Sequence, residues 1–171
     1  MKIYDKPFLI WITGLSGSGK TFLANSIYKK IKIQHKNTIL VNGDDLREIF
    51  NLNLYDKKSR YNIALKYHKF ILFLLSQNIS VVFATASMFS RIRSLNRRKI
   101  NNYFEIYIES DVNFIRSLNK KEIYKNNKNL WGIEIKPEFP KKYDFLVKNN
   151  SKGINFNKLT TEIIKKFHSS L

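Results

Sequence analysis

The sequence predicts an α/β fold: a five-stranded parallel sheet with helices on both faces and a lid segment. Three observations point there. Five short apolar runs rich in β-branched and aromatic residues recur along the chain. Stretches with helical spacing lie between them. A glycine-rich loop joins the first run to the first helical pattern. Strands that alternate with helices pair in parallel, with the helices covering the sheet.

Taken in order, "FLIWIT" (Phe8–Thr13) reads as a buried strand, continuous and apolar. A helix follows from about Lys20, with Phe22, Leu23, Ile27 and Ile31 on one face. "NTILVNGDD" is the second strand, "SVVFATAS" the third, "YFEIYIES" the fourth and "YDFLVKN" the fifth. The clearest helix is Lys57–Gln77, where Tyr61, Ala64, Leu65, His68, Leu72 and Leu75 recur at helical spacing. His68 shares that face and reads as a satisfied core histidine. A last helix spans Asn157–His168. Asn119–Lys142 breaks the pattern: polar, basic, punctuated by Gly132, Pro137 and Pro140, yet carrying Trp131 and Phe139. A segment of this kind in a small domain reads as a lid or binding loop. With no repeat and no linker-like tract, residues 1–171 are expected to form one domain.

Composition narrows the function. The chain has 171 residues, 43% of them hydrophobic, enough for a real core. It has no cysteine, which excludes disulfides and thiolate metal sites. The N-terminal run is short, interrupted by Asp5 and Pro7, and does not read as a signal peptide, so a cytoplasmic location is expected. No stretch approaches the length of a membrane span, and no membrane partner is expected. The net charge is +18. Its basic residues are scattered rather than blocked, among many Asn and Ile residues. The charge therefore reads as compositional, and no nucleic-acid partner is expected, although attraction of a small anionic substrate fits.

"GLSGSGKT" (Gly14–Thr21) matches the phosphate-loop pattern G-x-x-x-x-G-K-[ST]. Gly14, Gly17 and Gly19 let the backbone curl, so that the amides from Ser16 through Ser18 can point at phosphate. Lys20 supplies a point charge to the β/γ oxygens, the Thr21 hydroxyl joins a Mg²⁺ shell, and the following helix aims its positive end at the same anion. ATP with Mg²⁺ is the expected donor. A guanine-reading Asn-Lys-x-Asp is absent, since "NKLT" (Asn157–Thr160) lacks the acid, and the third strand ends "ATASMF" without a carboxylate. The carboxylates stand instead after the second strand, in "NGDDLR".

"GLSGSGKT", "NGDDLR", "ATASMF" and "KEIYK" occur in the order and spacing of the adenylylsulfate kinase family, and the resemblance runs from about Ile10 to Asn149. It implies a P-loop kinase fold and transfer of the γ-phosphate of MgATP to the ribose 3′-hydroxyl of a small nucleotide. It implies that Asp44 orients the acceptor hydroxyl or a Mg²⁺-bound water, making Thr21 and Asp44 the metal candidates. Asn42 stands where the family has its first aspartate. Arg47 resembles the arginine that holds the acceptor's phosphate. Tyr55 would stack on the acceptor base, Arg60 would grip its anionic group, and Ser87 would face the acceptor beside Met88, which replaces a proline. Lys121, in the lid's Lys121-Glu122-Ile123-Tyr124, becomes a catalytic candidate with Lys20 and Asp44. Trp131 is the shifted second stacking aromatic, and Tyr55 with Trp131 or Phe139 could clamp the base.

These departures cluster on the acceptor side and leave the donor loop intact. "SMFSRIRSLNRRKINNYFEIYIE" resembles the branch of the family that phosphorylates cytidine diphosphoramidate in capsule biosynthesis. The resemblance implies that acceptor, with adenylylsulfate as the alternative. A polynucleotide kinase or nucleic-acid-binding ATPase is a more distant reading. Related kinases are often dimers, so a homodimer is compatible with the resemblance.

Overall fold

The computed structural model describes residues 6–118, 131–150 and 153–171. Five strands, β1 (Leu9–Gly14), β2 (Thr38–Asn42), β3 (Ser80–Thr85), β4 (Tyr103–Glu109) and β5 (Phe145–Lys148), form one sheet in the order β2-β3-β1-β4-β5. Every neighbouring pair is parallel. The five expected strands are therefore all present. β1 sits at the centre, with Thr13 level with Thr85 of β3 on one side and Tyr107 of β4 on the other. β1 and β3 are buried along their whole length, which explains why both read as continuous apolar runs rather than as alternating patterns.

Period-two alternation sends neighbouring residues to opposite faces and creates two cores. On one face Phe8, Ile10, Ile12, Val82, Ala84, Ile106 and Ile108 meet α1 (Lys20–Gln34) and the C-terminal helix. Leu23, Ala24, Ile27 and Ile31 of α1 are buried there, each large side chain contributing roughly 1.5–3 kcal/mol. On the other face Leu9, Trp11, Val81, Phe83 and Tyr107 meet α2 (Gly43–Ile49), α3 (Lys57–Ser76), α4 (Ser90–Lys99) and α5 (Val112–Ser117). The last helix among the described residues, α6 (Phe156–His168), packs Ile163 and Phe167 beside α1. His68 is buried on α3, with its Nδ1 2.7 Å from Asn96 Oδ1, the satisfied core histidine that its position suggested.

Two local expectations change. The second strand stops at Asn42, and Gly43, Asp44 and Asp45 open α2 instead of extending it. Phe22 is not a core residue: it is 59% exposed and its ring meets Phe156 edge-on at 4.8 Å. No helix among the described residues is long and apolar enough to cross a membrane.

A buried charge cluster ties α4 to the sheet. Glu105 of β4 is fully buried, 3.3 Å from Arg93 Nε and 3.2 Å from Arg97 Nη2. Arg93 and Arg97 are one helical turn apart and share a face. Tyr103 donates its hydroxyl to Glu105, and Asp144 accepts from the Glu105 amide while pairing with Arg97. Burial pushes the Glu105 carboxyl up and the Arg93 guanidinium down, so each charge depends on its partner. Removing one partner leaves the others uncompensated. Glu105→Ala is therefore expected to lower the unfolding free energy by about 3–5 kcal/mol, read from urea denaturation. A loss of less than about 1 kcal/mol would show that the cluster is not stabilising.

Candidate active site

The site lies where the sheet order reverses, at the carboxyl ends of β1 and β3, the usual place for a ligand crevice in an open parallel sheet. Gly14 closes β1 under tight constraint. A Cβ there would stand 2.6 Å from the Ile108 carbonyl oxygen of β4 and 2.9 Å from Ser18 Oγ. Only glycine lets the two strands keep this approach. Gly19, with φ of 95°, adopts the left-handed conformation that turns the chain into α1. Lys20 reaches back to donate to the Leu15 carbonyl at 2.6 Å, which holds its ammonium over the loop.

A second clamp comes from the far end of the chain. The Asn149 amide nitrogen of the backbone donates to Glu109 at 2.8 Å, and its side chain donates to the Ser18 carbonyl at 2.9 Å. Asn149 thus fixes the loop against the exits of β4 and β5. Sequence reading did not find it, because nothing local marks a contact spanning 131 residues.

The loop opens into a cleft of about 1250 Å³. Ser16, Gly17, Gly19, Lys20 and Thr21 of the phosphate loop line it together with Asp44, Arg47, Tyr55, Arg60, Ser87 and Trp131. The structure therefore brings most of the expected residues to one cavity. Gly14 and Ser18 of the same loop do not line the cleft, and Ser18 is buried. Lys121 lies outside the described residues.

Met88 departs from expectation. It is fully buried, its sulfur 3.6 Å from the Thr13 hydroxyl, and it is not among the residues that line the cleft. The apolar side chain fills the core beneath the turn, while its neighbours Ser87 and Phe89 face the cavity. Phe139 also lies elsewhere, 6.3 Å from the Tyr107 ring, so no Tyr55–Phe139 clamp forms. Trp131 is only 2% exposed and stacks edge-on to Phe89 at 5.0 Å, so it is a back wall rather than an open plate.

One wall of the cleft is built by α2, α3 and the connection between them. The Arg47 guanidinium lies 4.5 Å from the Tyr55 ring centroid and donates to the Leu52 carbonyl at 2.7 Å. The Arg60 guanidinium lies 5.2 Å from the same ring and 5.7 Å from Trp131, and its Nε donates to the Tyr55 carbonyl at 2.7 Å. Burial pushes Arg60 down, and Arg47 beside it pushes the same way. An anion in the cleft would relieve that mutual repulsion. Asp44 is exposed in the first turn of α2, where Asn42 rather than Asp44 occupies the cap position. The Tyr67 hydroxyl, pushed up to about 12 by burial, donates to the Gly43 carbonyl at 2.8 Å and secures that turn. Asn42 donates to Asp45 at 2.9 Å, and Asp45 does not line the cleft. Asn42 and Asp45 thus form a pair that two aspartates could not.

The comparisons fit this geometry. The Adenylylsulphate kinase family matches residues 6–148. The chain belongs to that family. It is 41% identical over 167 residues to the cytidine diphosphoramidate kinase of Campylobacter jejuni, covering 95% of this chain and 97% of that one. It is 31% identical over 144 residues to the adenylyl-sulfate kinase of Pseudomonas aeruginosa, covering 80% and 74%. The structure of the Mycobacterium tuberculosis APS kinase in complex with AMPPNP and APS shares the fold, with a TM-score of 0.82 at 21% identity over 95% of this chain and 98% of that one.

The Gly14 contact gives a direct test. Gly14→Ala forces β1 away from the Ile108 carbonyl. The substitution is expected to cost about 1–3 kcal/mol of stability and to weaken ATP binding, measured by thermal denaturation and nucleotide titration. Unchanged values for both would show that the approach is not a constraint.

Proposed function

We propose that this chain is an ATP-dependent kinase that transfers the γ-phosphate to the ribose 3′-hydroxyl of cytidine diphosphoramidate. The observation that carries the acceptor is the 41% identity to a cytidine diphosphoramidate kinase across nearly the whole of both chains. The geometry supports the reaction class: one cleft joins a phosphate loop to a wall bearing Arg47, Tyr55 and Arg60.

Phosphoryl transfer needs positioning and charge neutralisation more than covalent chemistry. The loop amides and Lys20 hold the donor phosphates at the positive end of α1. Arg47 and Arg60 take the acceptor's anionic groups, and the Tyr55 ring supports its base. Asp44, in the same cleft, orients the acceptor hydroxyl. The lining holds four cations, Lys20, Lys29, Arg47 and Arg60, against the carboxylates of Asp44 and Asp56, a balance suited to two polyanionic substrates. Asp56 is committed elsewhere, accepting from the Ser59 amide as the cap of α3.

The residues present fit a magnesium ion. Thr21 and Asp44 supply hard oxygen donors to one cleft, and no group of three or more acidic or imidazole ligands exists among the described residues. That sparse set suits an ion held mainly by substrate phosphates and water. Bound there, Mg²⁺ would offset the negative charge of the transferring phosphate.

Lys20→Ala is expected to lower kcat/KM at least about a hundredfold, the scale of losing one preorganised electrostatic donor. Near-wild-type turnover in the folded variant would remove Lys20 from the reaction. Arg47→Ala and Arg60→Ala are expected to raise KM for the acceptor while leaving KM for ATP within about twofold, because both stand on the acceptor wall. Substrate choice tests the acceptor itself. With MgATP fixed, kcat/KM for cytidine diphosphoramidate is expected to exceed that for adenylylsulfate. A preference for adenylylsulfate of about tenfold or more, about 1.4 kcal/mol, would assign the alternative acceptor.

A further inference from the structure

The turn between β3 and α4 delivers Ser87 and Phe89 to the cleft; the Thr13 hydroxyl of β1 holds its Ser87 carbonyl at 3.1 Å, but the helix it leads into lacks a cap of its own. α4 begins after Phe89, whose side chain caps nothing, and its first turn has no acidic residue. The missing partner comes from 48 residues away. The Glu138 carboxylate accepts from the Ser90 amide at 2.8 Å and from the Ser90 hydroxyl at 2.5 Å. The Glu138 backbone adds two more bonds: its amide donates to the Met88 carbonyl at 2.9 Å, and its carbonyl accepts from the buried Arg93 at 2.6 Å.

We propose that Glu138 is a positioning residue for acceptor binding, pinning the turn that carries Ser87 and Phe89 to the segment that carries Trp131. The inference rests on the kinase reading and adds a residue to it. Glu138 does not line the cleft; it acts through residues that do. Phe89 and Trp131 touch edge-on at 5.0 Å, so the turn and the segment present one continuous wall. The Ser87 hydroxyl on that wall is buried and has no hydrogen-bond partner among the described residues, which makes it a ready contact for a polar acceptor group. A carboxylate at the start of α4 also meets the positive end of the helix, so the cap is charge-assisted. The phosphate loop has braces of its own in Ile108 and Asn149, and Thr13 ties the end of β1 to the Ser87 carbonyl without Glu138. Loosening Glu138 should therefore disturb one substrate and spare the other.

The test compares Glu138→Ala and Glu138→Gln with wild type, using whichever of the two nucleotides the wild type turns over faster. Glu138→Ala is expected to raise KM for that acceptor about tenfold while KM for ATP stays within about twofold, since small misplacements of binding groups are costly. Glu138→Gln is expected to recover most of the loss, because its amide oxygen still accepts from Ser90. A fall in kcat alone, the mark of a smaller folded fraction, would overturn the proposal, as would an equal rise in both KM values. Hydrogen exchange separates this inference from the kinase reading. Amides 89–93 are expected to exchange faster in Glu138→Ala while amides 14–21 are unchanged, whatever the acceptor. Unchanged exchange at 89–93 would overturn the role of Glu138 even if the kinase reading stands. Failure of wild type to phosphorylate either nucleotide would overturn the kinase reading instead.

Discussion

The close approach of Gly14 to the Ile108 carbonyl is the contact on which the rest of the site depends. It sets how β1 ends beside β4, and therefore where the loop begins. From that point the chain must turn, and Gly19 in the left-handed region completes the turn into α1. Asn149 then closes the far side by holding Ser18. The loop is shaped from three directions before any ligand arrives. Such preorganisation matters for a reaction whose barrier is lowered mainly by fixed dipoles and charges.

The two ends of the cleft are held by different parts of the chain. The phosphate loop depends on β1, β4 and the residues after β5. The wall bearing Arg47, Tyr55 and Arg60 depends on α2, α3 and the connection between them. Tyr67 secures the start of α2 through the Gly43 carbonyl, and Arg47 and Arg60 are fixed to main-chain carbonyls around Tyr55. The Asn42–Asp45 pair and the buried Met88 stand outside the phosphate loop, whose pattern stays intact.

The centre of the sheet is legible because β1 and β3 are buried along their whole length and so read as apolar runs. The phosphate loop was legible because its glycines and Lys20 act within a few residues of one another. What the sequence hid is non-local. The cap of α4 comes from Glu138, and the brace of the loop comes from Asn149. No local spacing reports either. The start of α2 reads as strand because Gly43 and Asp44 have little helical propensity and follow the β-branched run directly. The resemblance places Met88 in the cleft because it stands where the family motif has a proline beside Ser87. A side chain's facing within a turn is set by packing, and the core beneath Thr13 takes it.

The most direct measurement is the fate of the γ-phosphate. Incubation with MgATP and cytidine diphosphoramidate, followed by phosphorus NMR, reports both the product and its attachment point. The expected result is one equivalent of ADP and a new phosphomonoester coupled to the ribose H3′ proton. ADP and inorganic phosphate as the only new phosphorus species, or coupling to any other ribose position, would contradict the account.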